Sequence, residues 1–329
     1  MTTLYDVAAI GNAIVDVIAP ASDAFLADQQ LVKGSMMLVD DDQAIALYER
    51  MAAAVETSGG SAGNTIAGVA SLGGRAAYIG KVAHDQLGDV FAHDIESIGA
   101  TFGGARLTGG AGTGRCLINV TPDGERTMCT YLGAAAALTP DDVDPAIVEA
   151  SKIIYLEGYL FDPLDARRAF AKAAGLARAS ERLISLSLSD SFVVERHREA
   201  LLGFIDTEVD ILFANEDEIK SLFQLDDFDA CVRAVRSRAK IAAVTRGAKG
   251  STIVAGDAMH HIAAAPVEKI MDTTGAGDQY AAGFLLALAQ GRSFDHCGRL
   301  GSLAAAEVIA HYGPRPQVSL RDLATAAGL

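Results

Sequence analysis

The stretch DTTGAGDQYAAGFLLAL, residues 272–288, sets a carboxylate behind a run of small residues and directly ahead of an apolar segment long enough for a helix. Asp278 has an ordinary explanation, since an acid in the first turn of a helix complements the macrodipole. That account uses one residue. It leaves unexplained why Thr273, Thr274, Gly275, Ala276 and Gly277 all keep their side chains small, so that successive backbone N–H groups can face a ligand. Bare amides at a helix start form an anion site. A carboxylate beside a bound phosphate is repelled by it, unless its task is to take a proton from whatever attacks that phosphate.

The rest of the chain sets bounds on that reading. Its 329 residues are ample for one large α/β domain with a small appendage, and 50% hydrophobic with 21% charged residues is ordinary globular composition. A net charge of −15 offers no basic stripe for nucleic acid or an anionic membrane, so a polyanionic substrate must rely on local charges and a metal. Cys116, Cys129, Cys231 and Cys297 form no CxxC pair and read as reduced core thiols of a cytoplasmic protein. The opening MTTLYDVAAIGNAIVDVIAP lacks a basic start and carries Asp6 and Asp16, so it reads as a strand rather than a signal peptide.

Short β-rich runs (YDVAAIG, AAYIGKV, KIIYLEG, RLISLSL, VDILFAN, KIAAVTRG) alternate with helical patterns at 62–73, 86–98, 163–179, 194–204, 216–224 and 228–238. This rhythm predicts a doubly wound, mostly parallel sheet flanked by helices. KGSMMLVD, at 33–40, and GRCLINVTPDGERTMCTYLG, at 114–133, break it. They read as strands without crossover helices, the second a hairpin turned at Pro122-Asp123-Gly124. With the segment near 12–20 they are expected to form a small, discontinuous β lid on a single domain spanning 1–329. Neither GxxxxGK[ST] nor GxGxxG occurs, which removes the usual fingerprints of a P-loop NTPase and a Rossmann dehydrogenase. The seven histidines show no metal-binding spacing.

A second glycine cluster, SGGSAGNTIAGVASLGGRAAYIGKV, runs from residue 58 to 82 and enters a helix near Thr65. A tight turn before a closely packed helix would explain Gly68 and Gly73, though not Asn64. Together, DTTGAGD and this GG…N…LG cluster resemble the paired signatures of the ribokinase-like, or PfkB, family of ATP-dependent carbohydrate and nucleoside kinases. The resemblance spans nearly the whole chain. GNAIVD (11–16), GGSAGN (59–64), LSLSDSF (186–192), VDILFANEDE (209–218) and TPDGERTMCTYLGAA (121–135) are similar to its adenosine kinase branch.

The resemblance implies roles residue by residue. Gly275, Ala276 and Gly277 would hold the γ-phosphate and Asp278 would receive the proton of the attacking primary hydroxyl. Asp16, Asn12, Gly60 and Asn64 would bind the acceptor sugar, Asp16 accepting from a diol. Arg126, otherwise a solvated turn residue, would close with the lid over the transferring phosphate. Met36 and Tyr159 would touch the acceptor's base, although a tyrosine at a strand end is also an ordinary core-edge residue. Asn215 and Glu218 match an NxxE pattern that organises Mg²⁺, Glu218 through water, and a capping role for Asn215 is compatible. Thr245, Arg246 and Gly247 would contact ATP phosphates, and the helix at 298–310 would wall the adenine pocket. Some relatives bind K⁺ through residues matching Asp272 and Thr274 with a downstream loop, here HYGPRPQ, where Gln317 replaces a small hydroxyl residue. The implied enzyme is a monomer or homodimer that uses ATP to phosphorylate the 5′-hydroxyl of adenosine, with ribose, fructose, inosine or guanosine as alternative acceptors.

Overall fold

Strands such as Tyr5–Ile10 (YDVAAI) are buried almost throughout, the pattern of a sheet covered by helices on both faces. The computed structural model describes residues 3–329 and builds these strands into a nine-stranded sheet. Its order from one edge is Ala258–Ile262, Ser251–Ala255, Ile241–Thr245, Ile211–Asn215, Leu183–Ser187, Ser151–Glu157, Tyr5–Ile10, Ala76–Ile79 and Thr101–Phe102. Neighbours pair in parallel except at the Ser251–Ala255 and Ala258–Ile262 edge, where both ladders are antiparallel.

Alternation along each strand separates two cores. Val7, Ala9, Ile153 and Tyr155 face the helices Ser61–Ser71 and Ala276–Ala289, whereas Ala8, Ile10, Ile154 and Leu156 face Leu164–Ala179 and Ser191–Glu208. The Ala276–Ala289 helix is apolar all round because it is wedged against both the sheet and the helix Phe294–Val308, and every residue from Gln279 to Ala287 is buried. All four cysteines are free and buried.

A second sheet of five strands, ordered Met36–Leu38, Arg126–Tyr131, Gly114–Val120, Ile14–Pro20 and Val55–Ser58, contains the two segments that break the alternation and the one near 12–20. The hairpin turns at 121–125, where the Thr121 N–H donates to the Glu125 carbonyl at 3.0 Å. One strand of this sheet, Val55–Ser58, is not evident in the sequence: VETS is short and polar, and it forms because it pairs with Val15–Ile18. Among the described residues no helix is long and apolar enough to cross a membrane.

Five parallel strands of the large sheet end on one cavity. Asn12, Glu157, Ser187, Asn215 and Thr245 line it from the carboxyl ends, or just beyond the ends, of successive strands. That end of an open α/β sheet is where ligands bind. The small sheet closes the cavity from above through Ile14, Asp16, Cys116, Ile118, Arg126 and Met128.

Candidate active site

The helix that starts at Ala276 is entered through Gly275, whose φ is +78°. A Cβ there would stand 2.6 Å from the Pro314 Cβ, so the turn needs glycine both for conformation and for space. The Ala276 N–H donates to the Thr273 carbonyl at 3.2 Å, while those of Gly275, Gly277 and Asp278 have no acceptor among the described residues. The set of free amides therefore differs by one from the sequence expectation. The turn consumes the Ala276 donor, and Asp278 contributes its own N–H instead.

The Asp278 carboxylate is held from the opposite helix. Ser61 Oγ donates to its Oδ1 at 2.6 Å and Asn64 Nδ2 to its Oδ2 at 3.0 Å. Burial pushes its pKa up from 3.8 to about 6, and these two hydrogen bonds pull back against that rise. The result is a carboxylate that is ionised at neutral pH yet a better proton acceptor than a solvated one.

Asp16, on Ile14–Pro20, is 8% exposed, and neither of its oxygens accepts a hydrogen bond from the described residues. Burial raises its pKa to about 6, partly offset by Arg126 and Arg315. A buried acceptor without a donor costs free energy unless a ligand supplies one. Gly60, at φ +78°, brings its backbone against the Asn12 carbonyl so closely that a Cβ would overlap it. Asn12 is fixed by Glu157, whose Oε1 accepts from Asn12 Nδ2 at 2.7 Å and whose Oε2 accepts from the Ala62 N–H at 2.8 Å. Arg126 spans from the small sheet to the glycine-rich loop, its Nη1 donating to Asp272 Oδ2 at 2.5 Å, and its Nε and Nη2 have no acceptor among the described residues.

Asp16, Asp278, Asn12, Asn64 and Gly60 line one cavity of about 580 Å³ together with Gly275, Ala276, Gly277 and Arg126. Apolar and aromatic side chains line it as well: Met36, Leu38, Ile118, Met128, Tyr159 and Phe192. A smaller cavity of about 150 Å³ shares Thr245, Ala276, Gly277 and Tyr280 with it and runs to Gly247, Ser302, Ala305 and Ile309.

The arrangement matches known proteins. The model of the pfkB family of carbohydrate kinases matches residues 31–320. This chain belongs to that family. It is 28% identical over 327 residues to the adenosine kinase of Saccharomyces cerevisiae, covering 93% of this chain and 95% of the yeast one. An uncharacterized sugar kinase of Archaeoglobus fulgidus is 31% identical over 254 residues, 75% of this chain and 96% of that one. The crystal structure of adenosine kinase from Sinorhizobium meliloti superposes with a TM-score of 0.92 at 50% identity, over 99% of this chain and all of the other (100%). This pfkB kinase is thus an ATP-dependent phosphotransferase acting on a hydroxyl group, and its substrates are ATP and a nucleoside or sugar.

Toward the smaller cavity, Asn215 caps the helix Glu216–Phe223 in a reciprocal box. Glu218 N–H donates to Asn215 Oδ1 at 2.8 Å, while Asn215 N and Nδ2 donate to the two Glu218 oxygens at 2.9 and 2.7 Å. Burial, with Asp190, Asp217 and Asp278 nearby, raises Glu218 to about 7. Among the described residues no three His, Cys, Asp or Glu side chains stand close enough to hold a metal by themselves.

Two residues of this pfkB kinase are already engaged elsewhere in the protein. Arg246 lines neither cavity: its Nε donates to Glu216 Oε2 at 3.0 Å and its guanidinium lies 3.7 Å from the centre of the Phe228 ring. An ion pair and a cation–π contact hold it on the outer side, leaving Thr245 and Gly247 as the lining residues of that segment. Asp272 already accepts from Arg126 and from the N–H groups of Thr274 at 2.9 Å and Gly313 at 3.0 Å, so a K⁺ ion there would share the carboxylate with a guanidinium.

Several cavity residues escaped the sequence reading. Ser61 lies inside the quoted GGSAGN, but nothing in spacing says that its hydroxyl reaches Asp278. Glu157 carried a usable signal, an acid closing an otherwise apolar strand, and it is 1% exposed with its pKa raised by burial to about 7. Phe192, 65% exposed and lining the cavity, looks in sequence like any helix-entry residue.

Proposed function

We propose that this chain transfers the γ-phosphoryl group of ATP to the 5′-hydroxyl of adenosine, giving AMP and ADP. One observation carries the reading: the open carboxylate of Asp16 lies in the same cavity as Asp278, and that cavity is also lined by apolar and aromatic side chains, among them Met36, Tyr159 and Phe192, for which a free pentose offers no base. Asp16 accepts hydrogen bonds from the two ribose hydroxyls, and Asn12, Asn64 and the Gly60 backbone complete the sugar site. Met36 and Tyr159 bound the base, and Phe192 joins them. Asp278 orients the 5′-hydroxyl and takes its proton as the bond to phosphorus forms, a role worth roughly 10²- to 10⁴-fold in rate. The free amides of Gly275, Gly277 and Asp278 receive the phosphate oxygens, and Arg126 turns its unpaired donors to the same group.

Thr245 and Gly247 flank the ATP phosphates, and the Phe294–Val308 helix walls the adenine. Mg²⁺ carried by ATP would neutralise phosphate charge as the bond to the leaving group breaks. The residues present fit an ion held through water: Glu218 lines the cavity, but both its oxygens already accept from Asn215. Asp272 and Thr274 would meet K⁺ beside the Arg126 guanidinium.

The test is an acceptor panel with coupled ADP detection. Adenosine should exceed ribose and fructose by at least about tenfold in kcat/KM, since stacking of a base on an aromatic ring is worth roughly 1–3 kcal/mol. Tyr159→Ala should erode most of that preference. A free sugar phosphorylated more efficiently than any nucleoside would replace this reading with a sugar kinase, and inosine or guanosine ahead of adenosine would replace the base.

A further inference from the structure

Arg315, in the loop after the Phe294–Val308 helix, forms no ion pair within 4.0 Å among the described residues, although its Nη2 is buried and has no acceptor. A buried donor of a cation left without an acceptor is unfavourable by itself, so the surroundings of Nη2 matter. Its one side-chain hydrogen bond runs from Nε to Asn64 Oδ1 at 3.4 Å. Asn64 in turn gives Nδ2 to Asp278. A guanidinium can only donate and an ionised carboxylate can only accept, so the amide has a single orientation that satisfies both neighbours. The same loop is locked to the helix start: Pro314 packs on Gly275 and its carbonyl accepts from Gln279 Nε2 at 3.0 Å.

The charges around this chain of contacts are unbalanced. Asp278 is faced by the acids Glu157 and Glu218 and by Asp16, with the neutral hydroxyls of Tyr155 and Tyr159 beside it. Asp16 is faced by Asp278, by the Cys116 thiol, and by two cations, Arg126 and Arg315. Arg126 is committed to Asp272. Arg315, which also faces Asp94 and the Tyr78 hydroxyl, is the cation without a carboxylate partner of its own.

We propose that Arg315 is a positioning residue of the acceptor site, fixing the Asn64 amide from behind and placing a positive charge beside Asp16. It touches neither substrate. The inference rests on the reading of Asp278 as proton acceptor and Asp16 as sugar ligand.

The experiment uses the full chain with Arg315→Met, Arg315→Lys, Asn64→Ala and the double variant Asn64→Ala/Arg315→Met, read in kcat/KM for adenosine, KM for ATP, and pH profile. Arg315→Met should lower kcat/KM for adenosine by about tenfold or more and leave KM for ATP within about twofold. Its acid limb should move to higher pH, because removing a cation favours the protonated carboxyl, whereas Arg315→Lys should keep the limb in place. The double variant should lose less than the product of the single losses. Equal losses toward both substrates, an unmoved limb in Arg315→Met, or multiplicative losses would each overturn the proposal. Should Arg315→Met not fold, the cycle is run with Arg315→Lys, where multiplicative losses again overturn it. Asp278→Asn runs alongside: normal turnover there would defeat the reading of the base, whereas a dead Asp278→Asn with multiplicative Arg315 and Asn64 losses would defeat only the role of Arg315.

Discussion

Asp16 and Glu218 line the same cavity, and burial has raised both carboxyls, to about 6 and about 7. They differ in what the protein gives them. Asp16 receives no hydrogen bond among the described residues, whereas Glu218 is ringed by the backbone and side chain of Asn215. A buried acceptor left open is completed by a ligand. One that is satisfied internally shapes its own loop and reaches a ligand only through water. On the proposed reading, the acceptor end thus holds an open carboxylate in Asp16 and the nucleotide end a closed one in Glu218.

The sharpest reference for that contrast is Asp278, the proposed proton acceptor. Asp278→Asn should lower kcat by at least about 10²-fold with KM for ATP nearly unchanged, measured by coupled ADP release. The same variant should be more stable than the wild type at pH 8. A carboxyl raised from 3.8 to about 6 contributes stability that is fully present below pH 3.8 and is lost as pH rises through 6. Thermal melts should therefore show a gain of a few degrees at pH 8 and none near pH 4. A variant that is both inactive and less stable at pH 8 would point to a structural role instead.

Removing the open carboxylate should show next. Asp16→Ala deletes two charge-assisted hydrogen bonds to the sugar, so KM for the acceptor should rise on the order of 10²-fold while KM for ATP holds. Equal losses for both substrates would break the contrast, because they would mark Asp16 as a packing residue. The smallest effect belongs to the closed end. Asn215→Ala removes a helix cap and should cost about 1 kcal/mol in denaturant unfolding, with an increased Mg²⁺ requirement and an unchanged acceptor KM. A larger acceptor defect here than in Asp16→Ala would reverse the assignment of the two ends.

The glycine-rich turn at 272–278 was legible because its chemistry is local. Small residues before a helix, and an acid at its third position, suggest an anion site and a base without help from the rest of the chain. The alternation of strands and helices likewise gave the doubly wound sheet, since burial on both faces requires continuous apolar runs. The Val55–Ser58 strand was hidden for the opposite reason, being stable only through its partner strand. Arg246 shows the limit of motif transfer: the motif locates the segment, but Glu216 and Phe228, distant in sequence or unremarkable in type, decide where the side chain points.

The amino-acid sequence by itself thus determined the fold class and marked the glycine-rich turn and Asp278 as candidates for phosphate binding and proton transfer, because each depends on periodicity or on residues within a few positions of one another. Only the tertiary structure decided which amides stay free, that Ser61 and Asn64 hold Asp278 from 217 and 214 residues away, and that Glu157 fixes Asn12 across 145. Those contacts depend on how two helices and the carboxyl ends of five strands converge. Convergence in space leaves no spacing in the chain from which it could be read.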